Sequence, residues 1–265
     1  MPHARTRRTL AGTLALAVFA LAPLWGCATE RAERIRIDPP MIADARVAGP
    51  AIDVENFRGD VIVRIDPRVR EIDVRHTLRI DGDVEREDRE MILAHESVTV
   101  ETDEAHDLPI VRVRSTTVRP SVEGHRVDVR ITAPAAGGVR VRVGEGRIIL
   151  IGVAGAIHAE LDEGPIEVRT ATPIADPVAL TTGKGNIRLQ IARGSTGLLD
   201  VDAGEGRAVL ENASPYDRIE RHEVRGSRYT CVLNGGENPV MLRTGDGVAA
   251  INVLERPTER VRIVR

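Results

Sequence analysis

Aromatic side chains are nearly missing from this chain: five among 265 residues, namely Phe19, Trp25, Phe57, Tyr216 and Tyr229. Bases and sugar rings are gripped largely by stacking on aromatic faces, so this scarcity argues against a nucleic-acid reader, a lectin or a glycan-degrading enzyme. Lysine is almost absent too, with Lys184 alone beside an otherwise all-arginine set of bases. The formal net charge is −3, and because residues 1–26 carry Arg5, Arg7 and Arg8 and no acid, the remainder is more acidic still. No basic surplus is left for a phosphate backbone. Cysteine is limited to Cys27 and Cys231. No apolar run reaches the roughly 20 residues needed to cross a bilayer as a helix. The histidines stand singly at His3, His76, His95, His106, His125, His158 and His222, without metal-ligand spacing to one another or to Cys231.

The first residues have the layout of an export signal. Arg5, Arg7 and Arg8 form a basic start, Leu10 to Pro23 is apolar, and Leu24-Trp25-Gly26-Cys27 closes the segment. That ending resembles the lipobox of bacterial lipoproteins, which implies a signal over residues 1–26, removed on export, and Cys27 as the lipid-bearing (palmitoylated) first mature residue. Trp25 stands where that pattern has a small residue. Ala28-Thr29, with no Asp after the Cys, implies outer-membrane sorting by analogy with enteric lipoproteins. An ordinary secretory signal that happens to contain Cys27 is the alternative. With Cys27 carrying lipid, Cys231 has no disulfide partner, and its setting in Tyr229-Thr230-Cys231-Val232 suits a buried structural thiol. Residues 27–50 are polar, contain Pro39, Pro40 and Pro50, and read as a flexible tether between membrane and domain.

The rest is organised by a recurring phrase: VRVRVGEGRIIL, IHAELDEGPIEV, VALTTGKGNIRL, LLDVDAGEGRAVL and VMLRTGDGVAAINV. Each copy is an alternating strand, a tight turn with a charged residue before Gly, and a second alternating strand. The turn glycines Gly146, Gly164, Gly185, Gly206 and Gly247 lie 18, 21, 21 and 41 residues apart, with Gly226 near the middle of the long gap. A period of this size predicts a β-solenoid of stacked strand repeats, about 20 residues per rung, because one unit cannot bury its apolar face alone.

The phase is fixed by the turn. Val143, Leu161, Thr182, Ala203 and Thr244 precede it directly, with apolar residues two and four positions earlier, and the positions after it hold Ile148 and Leu150, Ile166 and Val168, Ile187 and Leu189, Ala208 and Leu210, Ala249 and Ile251. The copy at Gly226 slips by one, with Tyr229, Cys231 and Leu233 as its apolar positions, and predicts a bulge or wider turn. The turn residues Glu145, Glu163, Lys184, Glu205 and Asp246 would then form a column, in which Glu163, Lys184 and Glu205 alternate in sign and favour the correct register. A calcium column is a poor reading, since each turn offers one carboxylate, Lys184 sits in the middle, and calcium takes six or more oxygens.

Before the repeats, Ala51–Asn56 and Val61–Ile65 flank Gly59 as a looser copy, and Glu71–Ile80, Ser97–Glu101, Ile110–Thr116 and Arg126–Thr132 have strand alternation. VEREDREMILAH, residues 84–95, is rich in helix formers with acids early, and predicts the one short helix. No break long enough to separate two domains occurs, so residues 51–253 are one unit and 254–265 a C-terminal tail.

Gly183-Lys184-Gly185-Asn186 lacks the Lys-Ser/Thr of a phosphate loop and is followed by strand pattern. Asp162-Glu163 and Asp200/Asp202 are possible carboxylate pairs, but no nucleophile accompanies them and the phase points Asp200 and Asp202 outward. No catalytic, cofactor or metal constellation emerges.

The segment Arg126-Val-Asp-Val-Arg-Ile-Thr-Ala-Pro134 and the x-Gly-x-Ile-x-Val turns after it resemble the bacterial putative-adhesin domain, a β-strand-repeat family of unknown function. Tyr229-Thr-Cys-Val-Leu-Asn-Gly-Gly236 and Val240-Met-Leu-Arg-Thr-Gly-Asp-Gly247 look like that family's closing rungs. The likeness covers roughly residues 51–253; Ala208 and Ala249 stand where Ile or Val is usual, and the Val248-Ala249-Ala250 rung lacks the common Asp-Ile. It implies a β-solenoid-like fold in the bacterial envelope and carries over no catalytic residues. Three functional classes stay open: a lipid-anchored module that binds an envelope protein or polymer through its charged side surface, a carbohydrate-active enzyme on a β-helix, and an inert spacer.

Overall fold

The structure is a computed structural model and describes residues 28–38, 49–103, 109–211 and 217–259. Cys27, His3, His106, Tyr216 and the end of the tail lie outside the described residues.

Strand is the dominant element among the described residues, with one helix. In order run β1 (Thr29–Ile37), β2 (Ala51–Ile65), β3 (Ile72–Ile80), α1 (Arg86–His95), β4 (Ser97–Asp103), β5 (Ile110–Thr116), β6 (His125–Ala133), β7 (Gly138–Val153) and β8 (Ala156–Glu163). They are followed by β9 (Ile166–Thr170), β10 (Val178–Lys184), β11 (Ile187–Ala192), β12 (Gly197–Asp202), β13 (Arg207–Glu211), β14 (Ile219–Arg225), β15 (Arg228–Leu233), β16 (Pro239–Asp246) and β17 (Val248–Leu254). All 17 belong to one hydrogen-bonded, open sheet. The helix occupies the place the helix-former run predicts.

The sheet divides into a front and a back row, because each glycine turn carries the chain from one to the other. In the front row, parallel neighbours follow as β5, the first half of β2, the first half of β7, β8, β10, β16 and β12. In the back row they follow as β6, the second halves of β2 and β7, β9, β11, β17 and β13. The inward side chains of both rows form one cluster, from Ile52 and Val54 through Val141, Leu180 and Leu242 to Val201, with Ile148, Val168, Leu189 and Ile251 from the back row. A period-two pattern in parallel register places each inward residue over another inward residue, so the core is continuous along the stack. All the inward residues anticipated before and after the turns are buried except Ala208 and Leu210, which belong to the edge strand β13 and are only partly covered.

The order of copies differs from the order of the chain. Residues 240–254 lie between residues 178–192 and 198–211: β16 pairs with both β10 and β12, and β17 with both β11 and β13. The turn column therefore does not run through Glu205 after Lys184. Lys184 is flanked in register by Glu163 and Asp246, and Glu205 comes next, its N–H bonded to the Gly245 carbonyl at 3.0 Å. Charge alternation across Lys184 survives, but Asp246 supplies one of its two acids. At the other end Arg58 meets Glu145 through two hydrogen bonds, 3.1 and 3.2 Å.

Two further expectations are corrected. The slipped copy at Gly226 carries the expected bulge, a register shift between Glu220 and Glu223, but it is not a rung: it is an antiparallel hairpin of β14 and β15, with β15 antiparallel to β12. Its one-residue slip follows from that reversal, since an antiparallel return strand takes its phase from its hairpin and not from the glycine corner. The second correction concerns residues 27–50: Thr29–Ile37 is a strand, antiparallel to β3 over nine residue pairs. It reads as polar because it is an edge strand, and its alternating Glu and Arg residues protect an exposed row of backbone donors and acceptors. The C-terminal boundary moves by one residue, as β17 runs to Leu254.

Antiparallel elements flank both ends of the stack, with β13 left as an edge of the back row. At the amino-terminal end β4 pairs with β5, β3 with β6, and α1 inserts Ile92. At the other end the β14–β15 hairpin covers β12, and the edge strand β14 is charged and bulged, with Arg221 at φ 51.

Candidate binding face

The outward residues of the front row form two tracks across the strands. One runs Arg112, Asp53, Arg140, His158, Ala179, Met241, Asp200; the other runs Arg114, Glu55, Arg142, Glu160, Thr181, Arg243, Asp202, Arg228. Parallel pairing aligns these side chains about 4.8 Å apart, and the tracks cross-link themselves. Arg112 reaches Asp103 at 2.9 Å and Asp53 at 3.7 Å, Arg114 reaches Glu55 at 3.1 Å, and Arg142 reaches Glu160 at 3.1 Å. Arg140 is exposed and joins none of these pairs.

Asp200 is the most heavily coordinated acid of the face. Arg228 forks onto it at 3.0 and 3.1 Å, and Arg243 binds both its oxygens from the neighbouring strand. Partial burial raises its pKa, but hydrogen bonds from Arg243 and Arg228 outweigh burial and hold the carboxyl below its ordinary value. A lowered carboxylate contributes stability above the unfolded pKa and loses it as pH falls through the folded one. Asp200→Asn is therefore expected to cost about 1–3 kcal/mol at neutral pH, with the gap to wild type closing in acid. Urea unfolding at several pH values checks this.

Beside the charged tracks lies an apolar trough. Its floor is a line of residues at or just before the start of each strand: Ile110 at one end, then the small or cyclic Ala51, Gly138, Ala156, Pro177 and Pro239. Met241 borders it, and Leu198, paired with Pro239, is 49% exposed at the same level. The floor is low because no side chain larger than proline stands on it between Ala51 and Pro239, while Arg112, Arg140 and His158 rise along one side. Such a face can hold a partner by shape, apolar contact and charge; it contains no nucleophile paired with a base. Among the described residues no group of three His, Cys, Asp or Glu could hold a metal ion.

The structure distributes the residues singled out in the sequence as follows. Glu145, Glu163, Lys184, Asp246 and Glu205 line the corner edge of the stack, away from the trough. Cys231 is buried beneath β15, where burial pushes its thiol pKa up. Asp162 and Glu163 are exposed. Sequence reasoning misses the trough, although its signal is present: small or proline residues recur directly ahead of five of the alternating runs.

No family model matches the chain, and no curated protein matches it. Among solved structures, a putative cell adhesion protein from Clostridium sporogenes ATCC 15579 is 10% identical with a TM-score of 0.57, over 85% of this chain and 100% of that one. A putative adhesin from Bacteroides fragilis NCTC 9343 is 11% identical with a TM-score of 0.33, over 84% of this chain and 97% of that one. The chain is thus similar in fold, across most of its length, to a protein described as a putative cell adhesion protein.

Proposed function

We propose that the chain is a non-enzymatic binding module of the bacterial cell envelope, a β-solenoid anchored through lipid on Cys27 and sorted to the outer membrane as Ala28-Thr29 implies, that holds an envelope protein or polymer on its front face. The observation that carries this reading is the trough between Ala51 and Pro239 beside the ion-paired tracks. A front row of parallel strands with a continuous core fixes those side chains in place, so binding costs little ordering entropy. The fold shared with the C. sporogenes protein supports a binding or adhesion role without naming a partner.

The test uses the chain from Ala28 on, which holds every described element, incubated with isolated envelopes. Retention is expected for wild type and a loss of about tenfold or more, roughly 1.4 kcal/mol, for Ala156→Arg and Leu198→Asp, at unchanged melting temperature. Equal retention of all three would move the binding surface elsewhere, and no retention of wild type would favour an inert spacer. The anchor has its own check: labelled palmitate is expected in the wild-type chain and absent from Cys27→Ala, and equal labelling would remove the lipid.

A further inference from the structure

The N-terminal end of the stack holds a buried acid for which the binding face gives no use. Glu96 follows α1 directly and leads into β4 in an extended conformation, φ −66 and ψ 128. It is 4% exposed, and neither carboxyl oxygen has a hydrogen-bond partner. Its backbone is fully engaged. The N–H donates to the Ile92 carbonyl at 2.8 Å, and the carbonyl accepts from Arg31 Nη2 at 3.0 Å, while Arg31 Nη1 donates to the Leu93 carbonyl at 3.0 Å. One guanidinium, on β1, thus spans the last turn of α1, where helix carbonyls lack partners and the dipole is negative.

The groups facing Glu96 from each packed element are few. From β1 comes Arg31, itself 3.5 Å from Glu33. From the segment after β5 comes Thr117, whose hydroxyl shares a 3.0 Å hydrogen bond with His125 Nε2 of β6 and accepts the Arg119 N–H at 3.2 Å. Arg119 ties that segment to α1 through Asp88 at 3.3 Å, and His95 of α1 is exposed. On β3, His76 is buried and lies 3.4 Å from Glu33. Arg31 is the nearest cation, but its hydrogen bonds go to the Leu93 and Glu96 carbonyls and its Nε lies 3.5 Å from Glu33, so none of them reaches the Glu96 carboxyl. A buried carboxylate without a partner costs several kcal/mol. Neutral, the same group is tolerated.

We propose that Glu96 is a proton-held latch: protonated, it leaves Arg31 clasped on the end of α1 and keeps β1 and α1 seated; deprotonated, it draws Arg31 or water inward and unseats both. The proton leaves to solvent and no other covalent bond changes. Burial pushes the Glu96 carboxyl up to about 7, against weaker opposing pulls from Thr117 and Arg31. A raised carboxyl contributes its stability in full below the ordinary glutamate value and loses it as pH rises through the folded one. His76 and His125 act in the opposite sense. Burial lowers both, so their contributions are present above the ordinary histidine value and are lost as pH falls through the lowered ones. Loosening on the alkaline side therefore belongs to Glu96. Because β1 begins two residues after Cys27, unseating it would lengthen the link to a lipid on that residue; this consequence rests on the anchoring proposed above, whereas the latch does not.

Hydrogen exchange on the chain from Ala28 on, corrected for intrinsic base catalysis, tests the latch. Between about pH 6 and about pH 8.5, protection in Thr29–Ile37 and Arg86–Asp103 is expected to fall about tenfold or more in wild type, with Val178–Ala192 unchanged, and to stay level in Glu96→Gln. Protection independent of pH in wild type, or the same loss in Glu96→Gln, would overturn it. Should Glu96→Gln fail to fold, the carboxyl carbon of Glu96 in wild type is titrated by NMR. A midpoint near 7 supports the latch, and one at the ordinary ~4.3 overturns it. Neither result bears on retention by envelopes, so the latch and the binding face fail separately.

Discussion

A chain ended at Glu237 will lose its cooperative fold and not merely its last strands. In a stack ordered like the sequence, removing the final copy would trim one end and leave the remainder seated. Here residues 240–254 fill an interior position, so the deletion withdraws β16 from between β10 and β12 and β17 from between β11 and β13. Val240, Leu242, Ala249, Ile251 and Val253 leave a core in which they are at most 4% exposed. The inward faces of Leu180, Leu189, Leu199 and Val201 lose their neighbours as well. Each large apolar side chain taken out of a core costs about 1.5–3 kcal/mol, and whole domains are stable by only about 5–15 kcal/mol. Four new strand edges appear at once, which invites aggregation. Circular dichroism and calorimetry of the truncated chain should show no cooperative melt. A single transition within a few degrees of wild type would contradict the interior placement.

The second large effect falls on Gly185. The corner glycines stack against one another, so a Cβ on Gly185 would stand 2.1 Å from the Gly164 carbonyl oxygen, and one on Gly164 would stand 1.8 Å from that of Gly146. Both also hold a positive φ, 140° and 131°. Gly185→Ala therefore meets two penalties: a backbone conformation L-residues avoid, about 1–3 kcal/mol, and a clash with backbone on both sides of which strands are locked in register. A loss of roughly 3–5 kcal/mol is expected, with overpacking of this kind costing about 1–3 kcal/mol by itself. Gly226→Ala is the control. Its φ is 57° but nothing lies within 4 Å of a built Cβ, so only the conformational cost applies, about 1–2 kcal/mol. Chemical unfolding of the two variants separates them; equal losses would mean that the corners are not packed as described.

These two effects also mark where the sequence speaks and where it is silent. The inward phase, the glycine corners and the helix are all legible, because period-two alternation and a residue lacking Cβ leave direct traces. The order of the copies is not legible from phase, since Leu199-x-Val201-x-Ala203 and Val240-x-Leu242-x-Thr244 fit the same slot. A finer signal was nevertheless present. Thr182 and Thr244 precede Gly-Lys-Gly and Gly-Asp-Gly, and each hydroxyl donates to the corner carbonyl of the next copy: Thr182 to Gly164 at 3.0 Å, Thr244 to Gly185 at 2.8 Å. Ala203 cannot make that bond, whereas Thr244 makes it to the Gly185 carbonyl from the place next to Thr182. The acid-base-acid match of Glu163, Lys184 and Asp246 points the same way.

Elsewhere the missing information is long-range. β1 is hidden because an edge strand can be polar on both faces and gain its place from backbone pairing with β3. Asp200 gives no hint of its role, since Arg243 lies 43 residues further along the chain and comes beside it only through the interior placement of β16. Glu96 looks like the end of a helix in an acidic stretch. Its carbonyl is bound by Arg31, 65 residues earlier, in a segment whose composition suggests a tether.

The placement of the last copy is the claim on which the charge column, the Asp200 cluster and the trough all depend, and cysteine pairs test it directly. In the chain from Ala28 on with Cys231→Ser, Thr181→Cys and Arg243→Cys sit on directly paired positions of neighbouring strands, about 4.8 Å apart and within disulfide reach. Thr181→Cys and Asp202→Cys sit two strands apart, with Arg243 between them, at about 9.6 Å and beyond it. Under mild oxidation the first pair is predicted to form an intramolecular disulfide and the second to remain reduced. A disulfide in the second pair with none in the first would show the copies stacked in chain order and would contradict the account.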